Sequence, residues 1–151
     1  MIEKLTLKQA FRTVIKFLDG YYKNNPSDDL GLLLGEMQLQ NDNISADSAT
    51  WGYWIDSANR VIDQENHLEI DMPNPTSDEL NVLDTFKAMI NFLKIYHNQI
   101  QSDDIQAILD DLRLSDNNEI IDWAVKRNWR ESVDYIVSDK DPMYGYFQIF
   151  R

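Results

Sequence analysis

From Leu5 to Tyr22, apolar side chains recur at steps of three and four, at Leu7, Phe11, Val14, Ile15, Leu18, Tyr21 and Tyr22, while Lys8, Arg12, Lys16 and Asp19 take the other side. A period near 3.6 residues gathers such positions on one face, so the spacing predicts an amphipathic helix. Asn24, Asn25 and Pro26 end it. Ser27 then offers a hydroxyl to cap a second helix, with Asp28 and Asp29 in the turn where the helix dipole favours negative charge and Leu30, Leu33, Leu34 and Met37 as its stripe. After the polar loop Gln40 to Asn43, Asp47 is placed to cap a third helix carrying Trp51, Trp54, Ala58, Val61 and Ile62.

The same plan returns further on. Ser77 is the expected cap of a fourth helix bearing Phe86, Met89, Ile90, Leu93 and Tyr96. Ser102 caps a fifth with Ile105, Ile108, Leu109 and Leu112, and a sixth carries Trp129, Val133 and Ile136, with Glu119 to Trp123 as a forward extension of it. Shifted by 75 residues onto itself, the chain shows 16 identities over the 53 positions from Leu5 to Ser57, against a chance level of roughly 6 per cent. They include Leu5/Leu80, Phe11/Phe86, Phe17/Phe92, Tyr21/Tyr96, Ser27/Ser102, Asn43/Asn118 and Trp54/Trp129. The expected fold is therefore all-α, a tandem duplication of a three-helix unit, with residues 1–75 and 76–151 joined in one pseudo-twofold domain. Two short extended segments are expected as tails, His67 to Met72 and Met143 to Phe150, because the first alternates at period two and the second is rich in strand formers. They are expected to pack on the bundle or on each other, since four aromatic side chains left in water would form an apolar patch.

Composition narrows the chemistry. The 151 residues carry a formal charge of −12, divided evenly: 6 Lys/Arg against 12 Asp/Glu up to residue 75, and 8 against 14 after it. Such a field repels nucleic acid and anionic membrane and attracts a basic partner. No apolar run is long enough to span a membrane, and the opening MIEKLTLKQA does not read as a signal peptide, so a cytoplasmic protein is expected. Cysteine is absent, which removes thiolate chemistry and disulfides.

Of the two histidines, His67 lies between the units and His97 falls where the first unit has Tyr22, an aromatic position rather than that of a base. There is no Gly-rich phosphate loop. The pairs Asp28-Asp29 and Asp103-Asp104 invite a Mg²⁺ or Ca²⁺ site or acid–base work, but adjacent acids on one turn point apart and helix-start stabilisation accounts for them. No catalytic residue, metal ligand or cofactor is assigned. A metal-dependent hydrolase using these aspartates stays as the least favoured alternative, behind a structural or adaptor protein that assembles through acidic and aromatic surfaces, as monomer or homodimer.

Two features point to a partner. Between Asp103 and Asp122 stand Asp103, Asp104, Asp110, Asp111, Asp116, Glu119 and Asp122 with Arg113 as the one base, a sum of −7 + 1 = −6 that equals the charge of the whole second half. That run suits charge-assisted hydrogen bonds to a Lys/Arg-rich surface. Trp51 faces Lys126 across the repeat and Trp123 faces Ser48, so these two tryptophans are freer to be surface anchors than the matched Trp54 and Trp129.

The series Ala10-Phe11, Phe17-Leu18, Tyr21-Tyr22, Ser27-Asp28-Asp29-Leu30, Leu33 to Leu39, Ala46-Asp47 and Trp51 to Trp54 resembles a family of small helical bacterial proteins. Many of these are identified as immunity proteins of contact-dependent growth inhibition systems. The resemblance covers residues 5 to 62 and reaches 80 to 137 through the repeat. It implies an inhibitor that binds the toxic C-terminal domain of a cognate effector, often a nuclease with a basic cleft, and covers its active site.

Overall fold

Thr6 decides where the first helix begins. In the computed structural model, which describes residues 4–38, 48–61 and 79–138, the Thr6 hydroxyl accepts the Gln9 amide proton at 3.1 Å and the Gln9 side chain accepts the Thr6 amide proton at 2.9 Å. This reciprocal cap satisfies two amides that the first turn leaves without partners. Helix α1 therefore runs Leu7–Asn24, and Leu5 belongs to a strand, β1, at Lys4–Thr6. In the second half the cap is Asn81, whose side chain accepts from the Asp84 amide at 2.7 Å, and not Ser77, which lies outside the described residues. Asn81 ends strand β2, Glu79–Asn81, and opens α4, Val82–Ile100.

The two strands pair antiparallel, with Lys4 opposite Asn81, Leu5 opposite Leu80 and Thr6 opposite Glu79. Leu5 and Leu80, identical and 75 positions apart, stand directly across from each other and are buried. The all-α expectation holds in outline, since the fold is mostly helical with six helices among the described residues, and a two-stranded ribbon is added at a place where no extended segment was expected.

Ser27 and Ser102 cap α2, Asp28–Met37, and α5, Asp103–Asp111, as their sequence context requires, accepting from the Leu30 and Ile105 amides at 3.1 and 3.2 Å. Helix α3, Ser48–Asn59, stops short of Val61, which lies in the turn that follows. Helix α6 is Trp123–Val137, and the forward extension through Glu119 does not form: the Asp122 side chain caps the Val125 amide at 3.0 Å, which fixes the helix start there. Gln40 to Asn43, Asp47, Ile62, His67 to Met72 and Met143 to Phe150 lie outside the described residues.

The halves interlock. Helix α6 packs on α1 and α3 packs on α4, so the third helix of each half covers the first helix of the other. Trp54 stacks its ring 5.4 Å from Phe11 of its own half and 6.1 Å from Phe92 of the other. Trp129 does the same, 5.2 Å from Phe86 and 5.6 Å from Phe17. Both indoles are buried, and one continuous hydrophobic cluster runs through both halves. Enclosure of α1 by α2, α4 and α6 also buries residues expected in solvent: Arg12 is only 4% exposed, beside Thr13, whose hydroxyl bonds the Gln9 carbonyl at 2.8 Å. Among the described residues no helix is long and apolar enough to cross a membrane.

Candidate protein-binding surface

Between α5 and α6 the chain forms a small ordered hairpin. Leu114 and Ile120 make an antiparallel bridge, and the Ile121 amide donates to the Arg113 carbonyl at 3.2 Å. Ser115 holds the turn: its hydroxyl accepts from the Asn117 and Glu119 amides at 3.2 and 3.1 Å, and its own amide donates to the Glu119 carbonyl at 2.8 Å. Asn118 closes it with φ +62°, a left-handed conformation that asparagine tolerates better than most side chains. The sequence signal of this turn is the turn-forming composition of Ser115-Asp116-Asn117-Asn118.

The hairpin holds Asp116 and Glu119 out in solvent and delivers the chain to Asp122, also exposed. Beside them two large apolar side chains stand in water, Ile121 at 57% and Trp123 at 69% exposure. Trp123 has the Arg127 guanidinium 4.9 Å from its ring centre, a cation–π contact that supports the indole without covering it. The sequence marks Trp123 as a surface candidate but not Ile121, because its periodicity places Ile121 on a helix that does not reach it.

Asp110 and Asp111 end α5 and are exposed. The Gln106 amide donates to Asp110 at 2.9 Å, and the Tyr21 hydroxyl of α1 donates to Asp111. Burial raises the Tyr21 phenol above its usual range, and the Asp111 hydrogen bond and the charges of Asp111 and Asp122 push it further. Asp111 thus also ties α5 to α1 and borders a cleft of about 580 Å³ between α1 and α6 with Asp122 and Glu131.

The seven carboxylates are not one cluster. Asp103 and Asp104 sit at the far end of α5, about 10 Å along the axis from Asp110 at 1.5 Å per residue. There Ser102 donates to Asp29 at 2.6 Å, joining the starts of α2 and α5. Trp51, expected at the surface, is 5% exposed and meets Phe11 edge-on at 5.2 Å. Its lack of a match in the other half marks a difference between the two sides of one core, not a surface, and it is not available as an anchor. His97 is half-buried, and its Nδ1 is enclosed with no hydrogen-bond partner. No three His, Asp or Glu side chains converge to hold a metal ion among the described residues. The chain matches no protein-family model, no curated protein and no solved structure.

Proposed function

We propose that this chain is an immunity protein that binds the toxic C-terminal domain of a cognate contact-dependent inhibition effector in the cytoplasm and occludes its active site. The observation that carries the reading is the surface formed by the hairpin and the start of α6. An exposed Trp123 and Ile121 are set among Asp116, Glu119 and Asp122 on backbone already ordered by Ser115 and Asn118. Apolar anchors inside a polar rim are how protein interfaces concentrate affinity, and a preordered turn lowers the entropy lost on docking. The carboxylates suit a basic cleft of the kind that holds a nucleic-acid substrate, raising the encounter rate and fixing register.

The duplication belongs to the same proposal. The 75-residue identity pattern, the Leu5/Leu80 register and the reciprocal packing of α6 on α1 and α3 on α4 all support descent from a repeated unit. On this reading the second unit has turned its middle helix and hairpin into the contact surface, since Asp110 and Asp111 stand where the first unit has Gly35 and Glu36.

The test is calorimetric titration with the C-terminal domain encoded by the gene next upstream, at low and high salt. Nanomolar affinity that weakens with salt, and falls at least about tenfold in Trp123→Ala, supports the reading. No binding at either salt removes it for that partner. A dimer persisting at low micromolar concentration in that case favours assembly through the acidic and aromatic surface.

A further inference from the structure

A second cleft, of about 690 Å³, opens between the end of α4, the outer face of α5 and the first arm of the hairpin. Its volume lies in the range of small-molecule sites. Ile90, Leu109 and Leu114, half-buried against the core, give it an apolar wall backed by Leu112. Lys94, His97 and Arg113 stand around that wall.

Two features make this more than a groove. First, in a chain of charge −12, neither the Lys94 nor the Arg113 side chain forms an ion pair or hydrogen bond among the described residues. Asp110, the one carboxylate lining the cleft, receives the Gln106 amide instead. Second, the first half carries a larger ring at the matching position. There Tyr22 stands where His97 is, and its ring lies so close to α2 that a Cβ at Gly31 would come within 3.2 Å of it. In the second half the shorter imidazole replaces that ring, and Gln106 replaces Gly31 with its amide turned along α5 to Asp110.

We infer that this cleft binds an apolar chain ending in a carboxylate, with the chain on Ile90, Leu109 and Leu114 and the carboxylate between Lys94 and Arg113. The apolar wall supplies burial, and the unpaired cations supply charge-assisted hydrogen bonds that would otherwise go to water. The inference goes beyond the immunity reading and rests on other groups, Lys94, Arg113 and the wall of Ile90, Leu109 and Leu114, although the cleft adjoins the proposed contact surface at Asp110 and Ile121. A free aliphatic acid and a peptide C-terminus share this chemistry, and the probes separate them.

The experiment is amide NMR on the full ¹⁵N-labelled chain, titrated with hexanoate, 1-hexanol, acetate, and the tripeptide Gly-Gly-Leu as free acid and as carboxamide. Saturable shifts centred on Lys94, His97 and Leu112 to Leu114 are expected for hexanoate or the free-acid peptide, and whichever binds tighter identifies the source. Hexanol, acetate and the carboxamide should each bind at least about tenfold more weakly, the change expected for loss of one charged hydrogen bond. Lys94 and Arg113 are exposed, so Lys94→Ala/Arg113→Ala is expected to stay folded and to weaken hexanoate by tenfold or more. Shifts that do not saturate, that spread over the surface, that persist in the double variant, or that hexanol reproduces at equal concentration would overturn the inference.

Discussion

Replacing Trp129 by alanine tests the interlocked core directly. The indole is 3% exposed and touches Phe86 and Phe17, one from each half, at ring-centre distances of 5.2 and 5.6 Å. Truncating a buried Trp typically costs about 3–5 kcal/mol, of which two edge contacts at about 0.5–1.5 kcal/mol each are a large part. Its Nε1 is buried with no hydrogen-bond partner, so removing it returns about 1 kcal/mol of desolvation cost. The net loss is about 3 kcal/mol, or about 6–12 °C in Tm for a chain of this size. Because α6 packs mainly on α1 of the other half while Trp129 also meets Phe86 of its own half, the loss should appear in both halves together. Urea unfolding followed by circular dichroism should give one transition with unchanged slope, and amide exchange around Phe11 and Phe86 should speed up by the same factor. A loss below about 1 kcal/mol, or a transition that splits while one half stays protected, would refute the packing argument.

Other outcomes follow from particular contacts. Ser102→Ala removes both the cap on Ile105 and the bond to Asp29, so urea titration should show a loss of about 2 kcal/mol, against about 1 for the equivalent Ser27→Ala, whose serine only caps. Burial, then the charges of Glu36 and Asp29, push the Tyr96 phenol up to about 12 from 10.0. A raised folded value means stability that is complete below pH 10 and declines as pH rises towards 12, and thermal melts of Tyr96→Phe should show a shallower alkaline decline than the parent chain. Trp123→Ala, at a position 69% exposed, should leave Tm within about 2 °C while weakening the toxin-domain complex, a pairing that a buried tryptophan would not produce.

Much of this architecture was legible in the sequence because it is governed by local rules. The stripes of α1, α2, α4 and α5 come from a 3.6-residue period, and Ser27, Ser102 and their aspartates announce helix starts within one turn of chain. The 75-residue identity pattern also paired Trp54 with Trp129 as core residues, since a large ring kept at both of two matched positions answers to packing. What depends on distant chain could not be read that way. Strands of three residues are too short to alternate visibly, and Leu5 is extended because its partner Leu80 lies 75 residues away. Trp51 is buried by Phe11, and Arg12 by the helices around α1, neither of which its neighbours in sequence reveal. The acidic run from Asp103 to Asp122 is one feature in sequence, but the helix rise and the hairpin divide it in space. The hairpin holds Asp116 and Glu119 exposed and leads directly into the exposed run Ile121, Asp122 and Trp123. Composition and periodicity thus determine which segments fold and what charge they carry, because those are sums over neighbouring residues. Which helix of one half covers the other, and which side chains remain in water, is decided by burial of a shared core, a property of the whole chain at once.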